Sequence, residues 1–264
     1  MKYVHFVLQG KGGAGKSFIA SIIAQYIKDL DKDNLVLDTD PLNQSLHKIK
    51  GIDSEFINIL DINREDIDHK QFDIIMEKII DTDATHTVID TGSNSFLQLC
   101  NYIKRQKIIA SLYGFGFQTK FHFVINGGSE QNEAIKLMTE FSAVLYDIVS
   151  LDNDFYDTHK PLVIWLNPMP APLKFNNQFD SIYHDPCYLL MDSLIDGIIH
   201  IPKYHSDGLL KHDVFAMRDN LLTFAEFLQQ PYDTQKGLYG IISKQRIVNY
   251  RRQMYQMMTP IFAD

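Results

Sequence analysis

The chain has 264 residues, of which 45% are hydrophobic and 22% charged. This is the composition of a globular protein, and it excludes a disordered, collagen-like or disulfide-scaffold chain. The net charge of -8 argues against a protein that binds polyanions over its whole surface.

The cysteines and the first residues predict a cytoplasmic protein. Cys100 and Cys187 lie far apart and outside any CxxC pattern, so neither a disulfide framework nor a zinc knuckle is expected. A strand-like run begins at Tyr3, which leaves no room for a signal peptide, and no run of eighteen apolar residues follows. We therefore expect neither secretion nor a membrane span.

Short β-branched and aromatic runs alternate with helical periodicity, which predicts an α/β fold of three layers with a mainly parallel sheet flanked by helices. Strands are predicted at Tyr3 to Leu8, Leu35 to Leu37, Thr87 to Ile89, Phe121 to Ile125, Leu162 to Leu166 and Ile198 to Ile201. Apolar residues at helical spacing predict helices at Ile19 to Leu30, Gln71 to Ile80, Phe96 to Lys107, Glu130 to Tyr146 and Leu209 to Leu228.

A glycine-rich motif lies between the first strand and the first helix. It satisfies the pattern G-x-x-x-x-G-K-[ST] with Gly10, Lys11, Gly12, Gly13, Ala14, Gly15, Lys16 and Ser17, and Phe18 follows it. Glycine lets the backbone wrap around phosphate oxygens, and the following helix adds its positive N-terminal dipole. Lys16 would neutralise the β- and γ-phosphates of ATP and Ser17 would ligate Mg²⁺. The alternative is a glycine-rich turn with a surface lysine.

Acidic residues follow two further strands. Asp38 and Asp40 end the strand at Leu35 to Leu37, and their spacing of two places both on one side of it. Ligands bind in open α/β sheets at this end of the strands, although a turn that caps a helix would use the same residues. Asp90 ends the Thr87 to Ile89 strand. An apolar strand that ends in an acid has the form of a Walker B element, whose aspartate holds Mg²⁺ through water.

The motif from Lys11 to Ser17 resembles the deviant Walker A motif of the ParA/MinD ATPases. In that family the early lysine reaches the phosphates of the nucleotide on the other subunit of a dimer. The resemblance implies that Lys11 acts in trans within an ATP-sandwich homodimer, as an arginine finger does elsewhere. It also implies that Asp40 orients the attacking water, and that Asp38 supports the shell of magnesium and Lys16.

Two later segments resemble the base-binding elements of the same family. Asn167 ends the Leu162 to Leu166 strand, and its amide could read the adenine edge with one donor and one acceptor. Pro202 follows the last strand, as in the base-binding loop, while Gly92 stands where the family usually has proline. The opening Val7 to Ala20 and the run Leu222 to Glu226 look like TraL-type conjugal transfer proteins, a branch of this group. This likeness implies a role in plasmid conjugation or maintenance.

Other P-loop functions remain as alternatives. An iron-sulfur reductase would bridge a cluster with two cysteines per subunit, but neither cysteine here has glycine neighbours, so inert cysteines fit better. A small-molecule kinase or ligase uses the same loop, and Lys11 weighs against it. A non-catalytic nucleotide-binding module is the third alternative. Release of phosphate from ATP would separate these functions.

The end of the chain differs in charge from the rest. Residues 234 to 263 carry five basic side chains and no acid, whereas the remainder carries 20 basic against 33 acidic side chains. We therefore divide the chain into a P-loop ATPase domain at 1-233 and a basic helical segment at 234-264. Ile247, Tyr250, Met254 and Met257 are spaced as one face of a helix in that segment. The face could dock on the same domain, or the segment could bind plasmid DNA, a conjugation protein or an anionic membrane.

Overall fold

The computed structural model describes residues 1–10, 12–13, 15–60, 68–93, 95–149, 160–168, 171–175, 181–203 and 208–262. Its seven strands are β1 (Lys2–Leu8), β2 (Asn34–Thr39), β3 (Glu55–Phe56), β4 (His86–Thr91), β5 (Phe117–Asn126), β6 (Leu162–Asn167) and β7 (Ile195–His200). Its α-helices are α1 (Lys16–Asp29), α2 (His69–Asp81), α3 (Phe96–Arg105), α4 (Ile108–Gly114), α5 (Gln131–Val149), α6 (Pro186–Met191), α7 (Leu209–Asp219), α8 (Phe224–Gln229) and α9 (Ile241–Phe262).

The strands form one parallel sheet in the order β3-β2-β4-β1-β5-β6-β7. One apolar cluster covers each face, with α2 to α6 on one side and α1 and α7 to α9 on the other. Successive side chains of a strand point to opposite faces, so Phe6 joins the first cluster and Val7 the second. The predicted three-layer α/β fold and the six predicted strands are confirmed.

The predicted helix at Leu209 to Leu228 is two helices, α7 and α8. The chain reverses at Leu221, which has a φ of 55°, and Thr223 then caps α8. Thr223 Oγ1 accepts a hydrogen bond from the Glu226 backbone N–H at 3.2 Å, and the Glu226 carboxylate accepts one from the Thr223 N–H at 2.8 Å. This reciprocal capping starts a new helix where apolar periodicity continues without a break.

The C-terminal helix α9 packs on the sheet. Its buried apolar side chains are Ile247, Tyr250, Met254, Met258 and Phe262, so Met258 occupies the place predicted for Met257. Asp213 of α7, which is fully buried, accepts hydrogen bonds from Ser243 at 2.7 Å and from Arg246 at 2.6 Å. Because a buried carboxylate without partners is costly, these contacts fix α9 against α7. None of the helices described is both long and apolar enough to span a bilayer.

Three histidines cross the centre of the sheet as a hydrogen-bonded chain. Trp165 Nε1 donates to His122 Nδ1 at 3.0 Å, and 3.0 Å also separates His122 Nε2 from His5 Nδ1 and His5 Nε2 from His86 Nδ1. Because Trp165 Nε1 always donates, His122 Nδ1 must accept, and the proton of a neutral His122 ring is therefore on Nε2. By the same reasoning His122 donates to His5, and His5 donates to His86, each through Nε2. Burial lowers the pKa of His122 to about 3 and also lowers that of His5, so both rings are neutral in the fold.

Candidate functional site

The glycine loop and the three predicted aspartates meet at one edge of the sheet. The loop follows β1, while Asp38 and Asp90 are paired residues of the adjacent strands β2 and β4. Gly13 and Gly15 have φ values of 78° and 96°, which side chains other than glycine rarely adopt. The backbone therefore turns sharply into α1, which begins at Lys16. Lys11 and Ala14 lie outside the described residues.

Lys16 is a buried ammonium group. Lys16 is only 6% exposed, and this burial lowers the pKa of its ammonium group. The carboxylates of Asp90 and Asp40 act in the opposite direction and favour the charged lysine. Lys16 is the first residue of the helix that follows the glycine loop, so its ammonium group places positive charge where such loops bind phosphate, which indicates a site for anions.

Asp90 differs from the other two acids in its lack of hydrogen-bond partners among the described residues. The residue is fully buried, and both carboxylate oxygens lack a hydrogen-bond partner within the described ranges. Burial and repulsion by Asp38 raise its pKa to about 8, while Ser17 and Lys16 lie close enough to oppose this shift. Buried polar atoms are nearly always satisfied in native proteins, so two orphaned oxygens mark a place for a further partner.

A divalent cation fits this arrangement. Carboxylate and hydroxyl oxygens are the ligands that Mg²⁺ prefers, and Asp90 and Ser17 supply both types at the start of α1. Burial raises the pKa of Asp90 most, and repulsion by Asp38 adds to the shift. A cation beside Asp90 would oppose both effects, because it favours the charged carboxylate.

Asp38 and Asp40 hold the loop that follows β2. Asp38, fully buried, accepts hydrogen bonds from the backbone N–H groups of Asp40 and His47, each at 2.9 Å. Asp40 accepts from the N–H groups of Leu42 and Asn43 at 2.9 and 3.2 Å, and from the Asn43 side chain at 3.1 Å. Both acids therefore have the turn-capping contacts that the sequence offered as an alternative. Their roles toward magnesium and water remain predictions.

Asn167 and Pro202 lie at the same edge of the sheet, two and three strands away from β1. The backbone N–H of Ile201 donates to the Leu166 carbonyl at 2.9 Å, which holds Pro202 beside the end of β6. Asn167 Nδ2 donates to Asn126 Oδ1 at 2.7 Å. The roles of Asn167 and Pro202 toward a base remain predictions. Phe18 is half-buried and packs against the α1 side of the core.

Asn126 was not predicted from the sequence. It ends β5 as Asn167 ends β6, and the two are paired residues of those strands. The sequence carries a signal for it, because Val124-Ile125-Asn126 repeats the form of Trp165-Leu166-Asn167, two apolar strand residues followed by asparagine. In parallel strands such repeated endings lie side by side, so matching strand termini would have identified the pair.

The cysteines lie apart from this edge. Cys100 is buried in the core on α3, where burial raises its pKa to about 12, and Cys187 is half-buried on α6. Among the described residues, no group of three metal-ligating His, Cys, Asp or Glu side chains occurs.

The parallel sheet, the strand–glycine loop–helix unit and the acids that end the adjoining strands define the P-loop NTPase fold. Over 96% of both chains, the structure matches a chain of the MinC:MinD cell division protein complex of Aquifex aeolicus with a TM-score of 0.50. The sequences of the two are 15% identical.

Two sequence relatives match the whole chain. Protein TraL of Escherichia coli is 29% identical over 262 residues, and a second protein TraL of the same organism is 28% identical over 263 residues. Both alignments cover 98% of each chain. No family model matches the chain. The chain is thus similar over its whole length to TraL proteins, as its opening residues predicted, and it shares its fold with a chain of the MinC:MinD complex.

Proposed function

We propose that this protein is a nucleotide-switched ATPase that binds ATP and Mg²⁺ in a cytoplasmic sandwich homodimer and serves plasmid conjugal transfer or partition. The observation that carries the proposal is that buried Lys16 lies near Asp90, whose carboxylate oxygens lack hydrogen-bond partners among the described residues, beside the glycine loop. A buried acid without hydrogen-bond partners is costly in a protein interior, and a cation beside Asp90 would satisfy its oxygens. The buried ammonium group of Lys16 supplies positive charge for phosphates at the glycine loop.

Each residue has a separate task in this proposal. Lys16 binds the β- and γ-phosphates, and Ser17 and Asp90 hold the magnesium shell. Mg²⁺, when bound, supplies charge neutralisation at the phosphate oxygens. Lys11 of one subunit reaches the phosphates bound by the other subunit. Asp40 orients the water that attacks the γ-phosphate, through acceptor capacity that its carboxylate keeps beside its contacts with Leu42 and Asn43.

The basic C-terminal segment has fewer groups available for a partner than its composition suggests. Arg246 pairs with Asp213, and Arg251 lies 3.8 Å from Asp29. Lys236 and Arg252 are exposed and Lys244 is half-exposed. A polyanion such as plasmid DNA or an anionic membrane, or a conjugation protein, would meet these three side chains. Binding that falls steeply with salt would identify a polyanion.

Lys16→Ala tests the nucleotide site, with Lys28→Ala as a matched control from the exposed last turn of the same helix. By isothermal titration, the wild type and Lys28→Ala are expected to bind ATP with Mg²⁺, and Lys16→Ala to show no binding. The loop N–H groups alone do not offset the charge of crowded phosphates. Equal ATP affinity in all three proteins would refute the site, and a binder that releases no phosphate would be a non-catalytic module.

A further inference from the structure

Three apolar side chains stand out from the surface at the start of α9. Ile241 is 86% exposed and Ile242 is 68% exposed, and Tyr232, in the loop that leads into the helix, is 62% exposed. Ile241 has the largest exposed fraction of any large hydrophobic side chain in the described ranges. The Tyr232 ring lies beside Gly240, the residue before Ile241, because a Cβ at Gly240 would be 3.1 Å from it. These three side chains therefore form one convex surface, which we call the α9 tip.

Backbone contacts fix the loop that carries the α9 tip. Asp233 and Leu238 exchange two backbone hydrogen bonds, of 2.9 and 3.2 Å, and Leu238 is buried. The Asp233 carboxylate accepts a further bond from the Lys236 N–H at 3.0 Å. The Tyr239 ring packs edge-on against Phe227 of α8, with 4.8 Å between the ring centroids. The exposure of the tip is thus set by the folded structure, and keeping this apolar surface in water costs free energy.

The surroundings of the α9 tip are positively charged. Lys236 is exposed and Lys244, in the first turn of α9, is half-exposed. Asp233 is the only acid in residues 227–263, and its carboxylate is taken up by N–H groups of its own loop. Arg218 and Asp219 of the neighbouring helix α7 pair with each other at 2.7 Å and add no net charge. A positive patch on a chain with a net charge of -8 fits a negatively charged partner.

We propose that the α9 tip attaches this protein to anionic membranes. Ile241, Ile242 and Tyr232 enter the boundary between the lipid head groups and the acyl chains, and Lys236 and Lys244 contact the lipid phosphates. Aliphatic and aromatic side chains flanked by lysines are what interfacial binding to anionic lipids uses. The inference selects one partner for the C-terminal segment and goes beyond the proposed function, since it requires neither ATP nor a dimer.

Other partners fit the α9 tip less well. Duplex DNA would place its phosphates on the lysines but leave the two isoleucines in water, because contacts to the DNA backbone are polar. A second copy docked tip to tip would bring like charges together. A membrane accepts a convex apolar surface without a matching pocket, because lipid is fluid. The apolar stripe of α9 itself, which includes Ile247 and Phe262, is buried on the sheet and takes no part in this contact.

Flotation with lipid vesicles tests the proposal on the full chain without nucleotide. One set of vesicles is phosphatidylcholine alone, and the other contains phosphatidylglycerol as well. Ile241→Ser combined with Ile242→Ser removes the apolar part of the tip. Lys236→Gln combined with Lys244→Gln removes its charge. Circular dichroism and urea unfolding monitor the fold of each variant.

A pair of exposed leucines elsewhere provides the matched control. Leu189 and Leu190 of α6 are 67% and 66% exposed, and α6 lies on the opposite side of the sheet from α9. The exposed acid Asp192 follows them closely, where the tip has lysines. Replacing both leucines by serine removes a similar apolar surface and leaves the α9 tip intact.

The wild type and the control variant should float with the phosphatidylglycerol vesicles, and much less with phosphatidylcholine alone. The serine pair at Ile241 and Ile242 should weaken the affinity by at least about tenfold, the scale of burying part of two isoleucines. The glutamine pair at Lys236 and Lys244 should weaken it by about tenfold to thirtyfold at low salt, the scale of two lysines at an anionic surface.

Tyr232→Trp adds a reporter of insertion, since Trp165 is the only tryptophan of the chain and is fully buried. Its emission should shift to the blue with anionic vesicles and stay unchanged with phosphatidylcholine. The proposal is overturned by wild-type protein that does not float, by an equal loss in the control variant, or by an unshifted tryptophan. Binding that is lost with the lysines but kept by the serine pair at the tip would also overturn it, and would favour a polyanion such as DNA.

Discussion

Replacing Asp90 by asparagine should stabilise the protein in the absence of ligands. The pKa of Asp90 rises from 3.8 to about 8 in the fold, so at pH 7 the folded carboxyl holds a proton that the unfolded chain has released. About three pH units at about 1.4 kcal/mol each give a folding cost of about 4 kcal/mol at most. The asparagine side chain has a similar shape and does not carry that cost.

The sign of the effect can be checked by its pH dependence. The folded state binds one more proton than the unfolded state between about pH 4 and 8, so the Asp90 contribution to stability falls as pH rises through this range. Urea unfolding from about pH 5.5 to 8.5 should therefore show a gap between Asp90→Asn and wild type that widens with pH. Asp53→Asn, at an exposed position, should follow the wild type.

Ligands should reverse this order. ATP with Mg²⁺ stabilises whichever protein binds it, and we expect a large rise in unfolding free energy for the wild type and a small one for Asp90→Asn. A variant that is less stable than the wild type at about pH 8, or a gap that does not change with pH, would refute the assignment of Asp90 as an uncompensated buried acid. An equal response to Mg²⁺ and ATP in both proteins would refute its role toward magnesium.

Four further changes test other parts of the structure. Lys11→Ala should still bind ATP in titration but should not dimerise with it by light scattering, and a normal dimer would remove the argument for a lysine in trans. Asp40→Ala should bind ATP and hydrolyse it about a hundredfold more slowly in single turnover, which wild-type turnover would contradict. Arg246→Met leaves Asp213 buried beside one lost partner and should lower the unfolding free energy by about 3 kcal/mol; no loss in urea would contradict the buried pair. Burial lowers the pKa of His122 from 6.5 to about 3, so the unfolding free energy should fall by about 1.4 kcal/mol per unit as pH drops from 6.5 toward 3. In urea unfolding, His122→Gln should flatten this slope.

The strands and most long helices were predictable because their signals are local. A run such as Leu162 to Leu166 is apolar and ends at Asn167, and its side chains alternate between the two covered faces of the parallel sheet. The break between α7 and α8 was missed because apolar spacing continues across it, and the capping by Thr223 and Glu226 has to outweigh that periodicity. The two-residue strand β3 is too short to carry any pattern.

The candidate site divides in the same way. The glycine loop, Lys16 and the acids at strand ends follow from a motif and from the rule that parallel strands end at one edge. The sequence did not predict which acids have hydrogen-bond partners, because burial and contacts depend on how the whole chain folds. Asp38 and Asp40 are satisfied by backbone donors of one loop, whereas Asp90 has none in the described structure. Asn126 was missed because its only evident role is to contact Asn167.

The central claim is that ATP closes two copies of this chain into a dimer. Size-exclusion chromatography with light scattering measures it on the wild type without ligand, with ADP and with a non-hydrolysable ATP analogue, each with Mg²⁺. The proposal predicts the 30.5 kDa mass of the single chain without ligand and with ADP, and twice that mass with the analogue. A mass that is the same in all three states, measured while the analogue is shown to be bound, would contradict it.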